Sequence, residues 1–401
     1  LNNLFLNYFL RKSYVSFAIS EKLQDWFLHK PIEIIGKYSE IVNVLVVLGS
    51  VICGYYLYSF LNYKQYFNGK QNKVTGDKGG LKNLGNTCYI NSVLQALFSS
   101  KDFIDILNEA KKKNELDKIS KSKDNSEVLL SELIALKEKR DNAGKKAVCP
   151  QKFVKEVRSI LFKNSKVQQD ASEFMSLLIG NMNKWDDFKK LFGLIRIECN
   201  NCKSCINKYD IHRDPKIVPT NHIAVDITQD KLCDGLKNLK KQEFVSDVLC
   251  GTCKKSDTTI NKTVEFTDLP NLLVINLNRF SYRSSTIKDS KGNLVFKGES
   301  KKINKPMTFP CFGLKINEKD DFEYDLISFV CQAGSLRSGH YISYSKDPSD
   351  QKWYKCNDSS RTQVSEDEIK TIAEVDGVKK FFTPYILFYE KNNSKQLGVN
   401  N

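Results

Sequence analysis

Cys88 is the residue of this 401-residue chain best placed to act as a nucleophile. It opens a stretch in which Ile90, Val93, Leu94, Leu97 and Phe98 recur at i, i+3, i+4, i+7 and i+8, the spacing of one apolar helix stripe. Gly85, Asn86 and Thr87 supply the turn and capping chemistry that starts such a helix. The sulfur therefore falls at a helix N-terminus, where the dipole and free backbone N–H groups favour a thiolate. A buried structural cysteine is the alternative reading of a thiol taken by itself. Far downstream, His340 follows Gly339 and precedes alternating apolar residues, as in a strand. Asn357 and Asp358, just after Trp353 and Tyr354, are polar groups able to fix an imidazole tautomer. A thiol protease needs a nucleophile, a base and such an orienting group, which meet in space rather than in sequence.

The order Cys, His, Asn/Asp is that of papain-like folds. Five blocks sharpen the likeness: Gly80 to Leu97 (GLKNLGNTCYINSVLQAL), Gln168 to Phe174 (QQDASEF), Leu269 to Phe280, Gly334 to Asp358, and Tyr385 to Glu390. Together they resemble the ubiquitin-specific proteases, the thumb, palm and fingers family of deubiquitinating enzymes, from about Gly80 to Lys391. The resemblance makes Cys88 the nucleophile, His340 the base and Asn357 the third triad member. Asn83, five residues before the nucleophile, is similar to the family's oxyanion-hole amide. Many members carry Asp at the Asn357 position; an amide orients an imidazole but does not offset its charge, so adjacent Asp358 is expected to share that role. Gln332 stands where the family often has His, and Pro384 where it often has Ala.

The implied fold is α+β: a papain-like protease with a helical thumb and an antiparallel sheet for palm and fingers, preceded by one transmembrane helix. The implied reaction is hydrolysis of the (iso)peptide bond after the C-terminal glycine of ubiquitin. Cys88 attacks the carbonyl, Asn83 and backbone N–H groups hold the oxyanion, and His340 protonates the leaving amine and then activates water. Gln168, Asp170, Glu173 and Gly339 are expected to bind substrate. Asp170 and Glu173 face the arginines of ubiquitin's basic tail, and Gly339 gives its glycines clearance. Glu173 also reads as a structural carboxylate, and Gly339 as a turn glycine.

Positioning these groups calls for distinct regions. Leu81 to about Phe192 reads as mainly helical, with Ala171, Phe174, Met175 and Leu178 on one apolar face. Asn221 to Ile227, Leu272 to Asn278, Phe322 to Val330 and Tyr341 to Ser345 read as strands of the antiparallel sheet, with the fingers at about 195–260. Residues 392–401 form a polar tail expected to be disordered.

Twelve cysteines raise the question of disulfides, but their grouping answers it differently. Cys199 and Cys202 form one C-x2-C pair, Cys250 and Cys253 another, a spacing that resembles one structural Zn2+ site joining two knuckles. Cys205 offers a spare ligand, and a decayed site of free thiols is the alternative. A net charge of +15 raises nucleic acid as a partner, yet the lysines are scattered rather than set in a stripe with stacking aromatics. No nucleic-acid partner is expected. The densest run, Lys111 to Lys146 around a helical stretch Val128 to Leu136, reads as a solvated surface insertion.

The first eighty residues differ in kind. Residues 1–40 read as a short lead, and Ile41 to Tyr63 lacks any charge for 23 positions, with tyrosines crowding its later end. It reads as a membrane anchor, the alternative being a buried core helix, and is followed by a Gly/Lys/Asn linker at 64–79. Lys64, Lys70, Lys73 and Lys78 after the span, and a catalytic thiol that works reduced, place the protease on the cytosolic side. The mitochondrial outer membrane is the expected location, by similarity to anchored members of the family, with endoplasmic reticulum and peroxisome as alternatives. Two other functions fit the same blocks: a membrane-tethered ubiquitin-binding pseudoenzyme, and a protease for another ubiquitin-like modifier.

Overall fold

A computed structural model describes residues 78–112, 124–202, 216–241, 243–248, 254–255, 258–288, 294–335, 338–375 and 382–392. All belong to one compact unit, Asn72–Asn401. Its first half is a cluster of helices. Helix α1 (Cys88–Leu97) is followed by α2 (Lys101–Lys112), α3 (Asn125–Asn142), α4 (Gln151–Leu161), α5 (Ala171–Met182) and α6 (Asp186–Phe192). The apolar stripe of α1 suggested one buried face, but every residue of the helix is buried. The reason is its place in the middle of the molecule: it packs on α5 on one side and, on the other, against the central sheet. There Tyr89 meets the edges of Phe162 and Phe174 at ring separations of 5.8 and 5.6 Å. A helix buried all round must still satisfy its last carbonyls. Two buried serines of the sheet do so, Ser345 Oγ donating to Gln95 O and Ser328 Oγ to Ala96 O, each at 3.0 Å.

The lysine-rich run expected on the surface is in part a core element. Along α3, Leu129, Leu130, Leu133, Ile134 and Leu136 are buried, and the guanidinium of Arg140 lies over the Phe98 ring at 5.1 Å. Ser131, Glu132 and Ala135 lie between these apolar positions, and Lys137 and Lys139 follow them, so the charge of the run disguises the stripe in composition only.

Beyond the helices the chain forms β1 (Leu194–Cys202), β2 (Lys216–Thr220), β3 (Ile223–Asp226), helix α7 (Leu232–Lys240), β4 (Glu243–Val248), β5 (Thr258–Thr267) and β6 (Leu272–Asn278). There follow β7 (Phe280–Lys288), β8 (Leu294–Lys302), β9 (Glu323–Gly334), β10 (Gly339–Lys346), β11 (Trp353–Asn357), β12 (Ser360–Val364), helix α8 (Glu366–Val375) and β13 (Thr383–Asn392). The central sheet has the order β12-β11-β10-β9-β13-β6-β3, and a separate four-stranded sheet the order β2-β1-β5-β4. The expected antiparallel arrangement holds except at one edge, where β3 runs parallel to β6. The helix α7 lies between those two strands in sequence and supplies the crossover that a parallel pair requires.

Strand alternation sorts the core. Leu272, Val274, Ile386 and Phe388 belong to the cluster that meets the helices, while the intervening Leu273, Ile275, Leu387 and Tyr389 are buried outside that cluster. The register of β13 against β9 slips between Pro384 and Ile386, so Tyr385 is the extra residue of a bulge. Bulges re-aim side chains, and this one turns Tyr385 toward Asp170. Arg279, fully buried, fixes the same corner by donating to Pro384 O at 2.5 Å and Lys305 O at 3.0 Å. Asn392, expected in the disordered tail, completes β13 and donates to Asp325 at 2.6 Å.

Among the described residues no helix is long and apolar enough to cross a membrane. The expected anchor Ile41–Tyr63, the lead before it and residues 393–401 lie outside the described residues.

Candidate active site

The site assembles where α1 begins and where β10 begins beside the end of β11. Gly85 and Asn86 adopt left-handed conformations, φ 84° and 54°, so the chain turns sharply into the helix. Thr87 is the N-cap residue, but its hydroxyl makes no capping bond. It accepts from Leu84 N at 2.9 Å and donates to Asn83 Oδ1 at 3.2 Å. The first-turn N–H groups around Cys88 are thus left without a side-chain cap, facing where an anion would form.

The structure brings Cys88, His340 and Asn357 together. His340 Nε2 lies 2.7 Å from Asn357 Oδ1. An amide oxygen accepts, so Nε2 carries the proton and Nδ1 is the ring atom left to hydrogen-bond Cys88. Burial pushes the His340 imidazole down. It is outweighed by the hydrogen bond and charge of Cys88, then by Asp358 and the Asn357 hydrogen bond, so the group sits above its ordinary value.

Asp358 is placed differently from Asn357. It is one of two residues in the tight turn between β11 and β12, with φ 48°, a conformation Asp tolerates better than most residues. Its Oδ2 stands 3.9 Å from His340 Nε2. That oxygen accepts from Asn83 Nδ2 at 2.9 Å, and Oδ1 accepts from Asn91 Nδ2 at 2.8 Å. The carbonyl side of Asn83 accepts from Gly85 N at 3.0 Å and Thr87 N at 3.2 Å. These bonds fix which way the amide points: oxygen toward the turn, nitrogen toward Asp358 with its second hydrogen free for an oxyanion.

The expected substrate-binding residues divide. Gln168, 9% exposed, donates from Nε2 to Cys88 Sγ at 3.3 Å, so it is a partner of the nucleophile itself. Asp170 caps α5, Oδ1 accepting from Ser172 N at 2.7 Å and Glu173 N at 3.0 Å, while Oδ2 accepts from Tyr385 at 2.6 Å. Both its oxygens are engaged within the fold. Glu173, the third residue of α5, is exposed. Gly339 is required internally: a Cβ there would fall 2.3 Å from Ser335 O and 2.4 Å from Gln332 Nε2. Asn91 was not singled out by the sequence, though its place three residues after Cys88 on one helix carried the signal.

Among the described residues no cluster of His, Cys, Asp or Glu could hold a metal ion. Cys250 and Cys253 lie outside them, in the connection between β4 and β5. The backbone topology is compatible with the four-cysteine reading. Cys202 ends β1 opposite Ile260, and Val248 ends β4 opposite Thr258, so both cysteine pairs attach at the same end of the four-stranded sheet.

A family model described as ubiquitin carboxyl-terminal hydrolase matches residues 79–389. The chain is 27% identical to mouse Ubl carboxyl-terminal hydrolase 18, over 79% of this chain and 86% of the relative. It is 28% identical to Arabidopsis thaliana ubiquitin carboxyl-terminal hydrolase 25, over 81% of this chain and 49% of the relative. Its fold is similar to a solved structure of the SAGA Ubp8/Sgf11/Sus1/Sgf73 DUB module bound to ubiquitin aldehyde. The TM-score is 0.57 at 22% identity, over 82% of this chain and 74% of that one.

Proposed function

The chain belongs to the ubiquitin carboxyl-terminal hydrolase family, and from that premise we propose that it is a membrane-tethered deubiquitinase that uses Cys88 to cleave the bond after the C-terminal glycine of ubiquitin. The observation that carries this reading is the convergence of Cys88, His340 and Asn357, with Asn83 turned nitrogen-first toward the same place. Cys88 passes its proton to His340 Nδ1 and attacks the glycine carbonyl, while the Asn83 amide and the uncapped first turn of α1 receive the oxyanion. His340 gives its proton to the leaving lysine amine, and water deprotonated by His340 releases the ubiquitin carboxylate. Asn357 holds the ring in the tautomer that permits this.

Ile41–Tyr63 is the proposed anchor, with the protease on the cytosolic face and membrane-associated conjugates as substrates. The mitochondrial outer membrane is the favoured site, with endoplasmic reticulum and peroxisome as the alternatives. One structural zinc on Cys199, Cys202, Cys250 and Cys253 is proposed at the far end of the four-stranded sheet, where its binding would contribute folding energy.

A second reading, a protease for another ubiquitin-like modifier, is favoured by the mouse relative, whose name specifies a Ubl hydrolase. Turnover of fluorogenic conjugates of ubiquitin and of ubiquitin-like modifiers, side by side, separates the two. Preferential cleavage of ubiquitin supports the first, and turnover confined to another modifier supports the second. Binding without turnover of any would return the pseudoenzyme.

A further inference from the structure

Asn91 lies on α1 one turn past Cys88 and is 2% exposed. Its amide nitrogen serves acceptors from two separate parts of the chain: Leu81 O at 3.2 Å, Lys82 O at 3.4 Å and Asp358 Oδ1 at 2.8 Å. Its own Oδ1 is buried with no hydrogen-bond partner. Leaving a buried acceptor unpaired is costly, and packing would be met by an apolar side chain of similar size. What asparagine adds at this position is donation.

We infer that Asn91 is a positioning residue for the nucleophile and its base, acting through Asp358. The inference rests on the reading of Cys88 and His340 as the reacting pair. By taking Oδ1, Asn91 leaves Oδ2 for Asn83 and keeps it 3.9 Å from His340 Nε2. Holding the Leu81 and Lys82 carbonyls as well, it ties the segment that carries Asn83 to the helix that carries Cys88. One side chain thus joins the oxyanion donor, the nucleophile helix and the charge beside the base. The charged or titratable groups acting on His340 are Cys88 and Asp358, with Asn357 hydrogen-bonded to it and the Phe382 ring against it at 6.2 Å. Without Asn91, Asp358 has a freer rotamer in a half-buried turn, and its charge moves away from the imidazole.

Alkylation of Cys88 by iodoacetamide, followed on the Cys88 peptide by mass spectrometry as a function of pH, reports the pair without any need for ubiquitin. The upper limb of that profile marks proton loss from His340. Asp358→Ala is expected to move the limb to lower pH by about half a unit or more. Asn91→Ala is expected to move it the same way by a similar amount, and the double variant no further than either single one. A limb for Asn91→Ala that coincides with the parent chain, or a double-variant shift equal to the sum, overturns the inference. Should Asn91→Ala fail to fold, Asn91→Leu fills the same space without a donor. It is expected to move the limb to lower pH as Asn91→Ala does, and an unmoved limb overturns the inference. A parent chain inert toward ubiquitin that still shows these shifts overturns the proposed function while supporting the positioning role.

Discussion

The Tyr385 hydroxyl donates to Asp170 Oδ2 at 2.6 Å, fastening the bulge of the last strand to the first turn of α5. Burial, with Asp170 adding to it, holds the Tyr385 phenol far above its ordinary value, so it stays a donor throughout the working range. Asp170→Ala removes an N-cap and leaves that hydroxyl without its acceptor. The expected loss is about 2 kcal/mol or more of unfolding free energy, read from urea titration. Glu173→Ala, at an exposed position, is expected to leave the midpoint in place and raise KM for ubiquitin substrates; a lowered midpoint with unchanged KM would make Glu173 structural instead.

Asn357 and Asp358 are expected to fail differently. Asn357 gives His340 a neutral hydrogen bond, for which about 1 kcal/mol is typical. A carboxylate near 4 Å interacts with an imidazolium by up to about 4 kcal/mol in a partly wet site. Asp358 also holds Asn83. Asp358→Ala should therefore lose at least as much kcat as Asn357→Ala on a fluorogenic substrate. A large loss for Asn357→Ala beside a silent Asp358→Ala would give the supporting role to Asn357.

The imidazole offers a test of sign. His340 is raised above the ordinary imidazole value of 6.5, with burial opposing and the hydrogen bond and charge of Cys88 the main upward influence. Its ionisation therefore contributes stability that is full below that value and is lost as pH rises through the folded one. Cys88→Ala removes the main upward influence, so His340 should titrate at lower pH than in the parent chain. Ring-proton NMR reads this directly, and an unmoved titration would mean that Cys88 and His340 are not coupled.

Zinc is checked by metal analysis of chelator-free protein. One equivalent is expected, together with a lower unfolding temperature for Cys202→Ser and an unchanged His340 titration. Metal-free protein of full stability would leave the four cysteines as free thiols.

Removal of residues 1–63 is expected to release an active enzyme from membranes, since every catalytic block begins after Gly79. Aggregation or inactivity of the shortened chain would favour a core helix at Ile41–Tyr63.

Much of the site was legible because its chemistry is local in type. A turn of Gly85 and Asn86 before a helix, and a strand opening at His340, are patterns that a few neighbouring residues determine. What escaped the sequence depends on contacts between distant segments. The Asp170–Tyr385 bond is one such contact, made because a bulge brings Tyr385 from the other end of the chain. Asn91 looks like an ordinary helix polar residue until the β11–β12 turn delivers Asp358. The stripe on α1 understated its burial because periodicity records one apolar face, whereas a helix between a sheet and another helix is enclosed on all sides. In α3 the lysines hid a core face that the leucine spacing already held.

The most direct test is reaction of the purified chain with ubiquitin bearing a C-terminal electrophile. The prediction is one covalent adduct mapped to Cys88, lost in Cys88→Ala and strongly slowed in His340→Ala. An adduct on another cysteine, or equal labelling of Cys88→Ala, would contradict the assignment of Cys88 as the nucleophile.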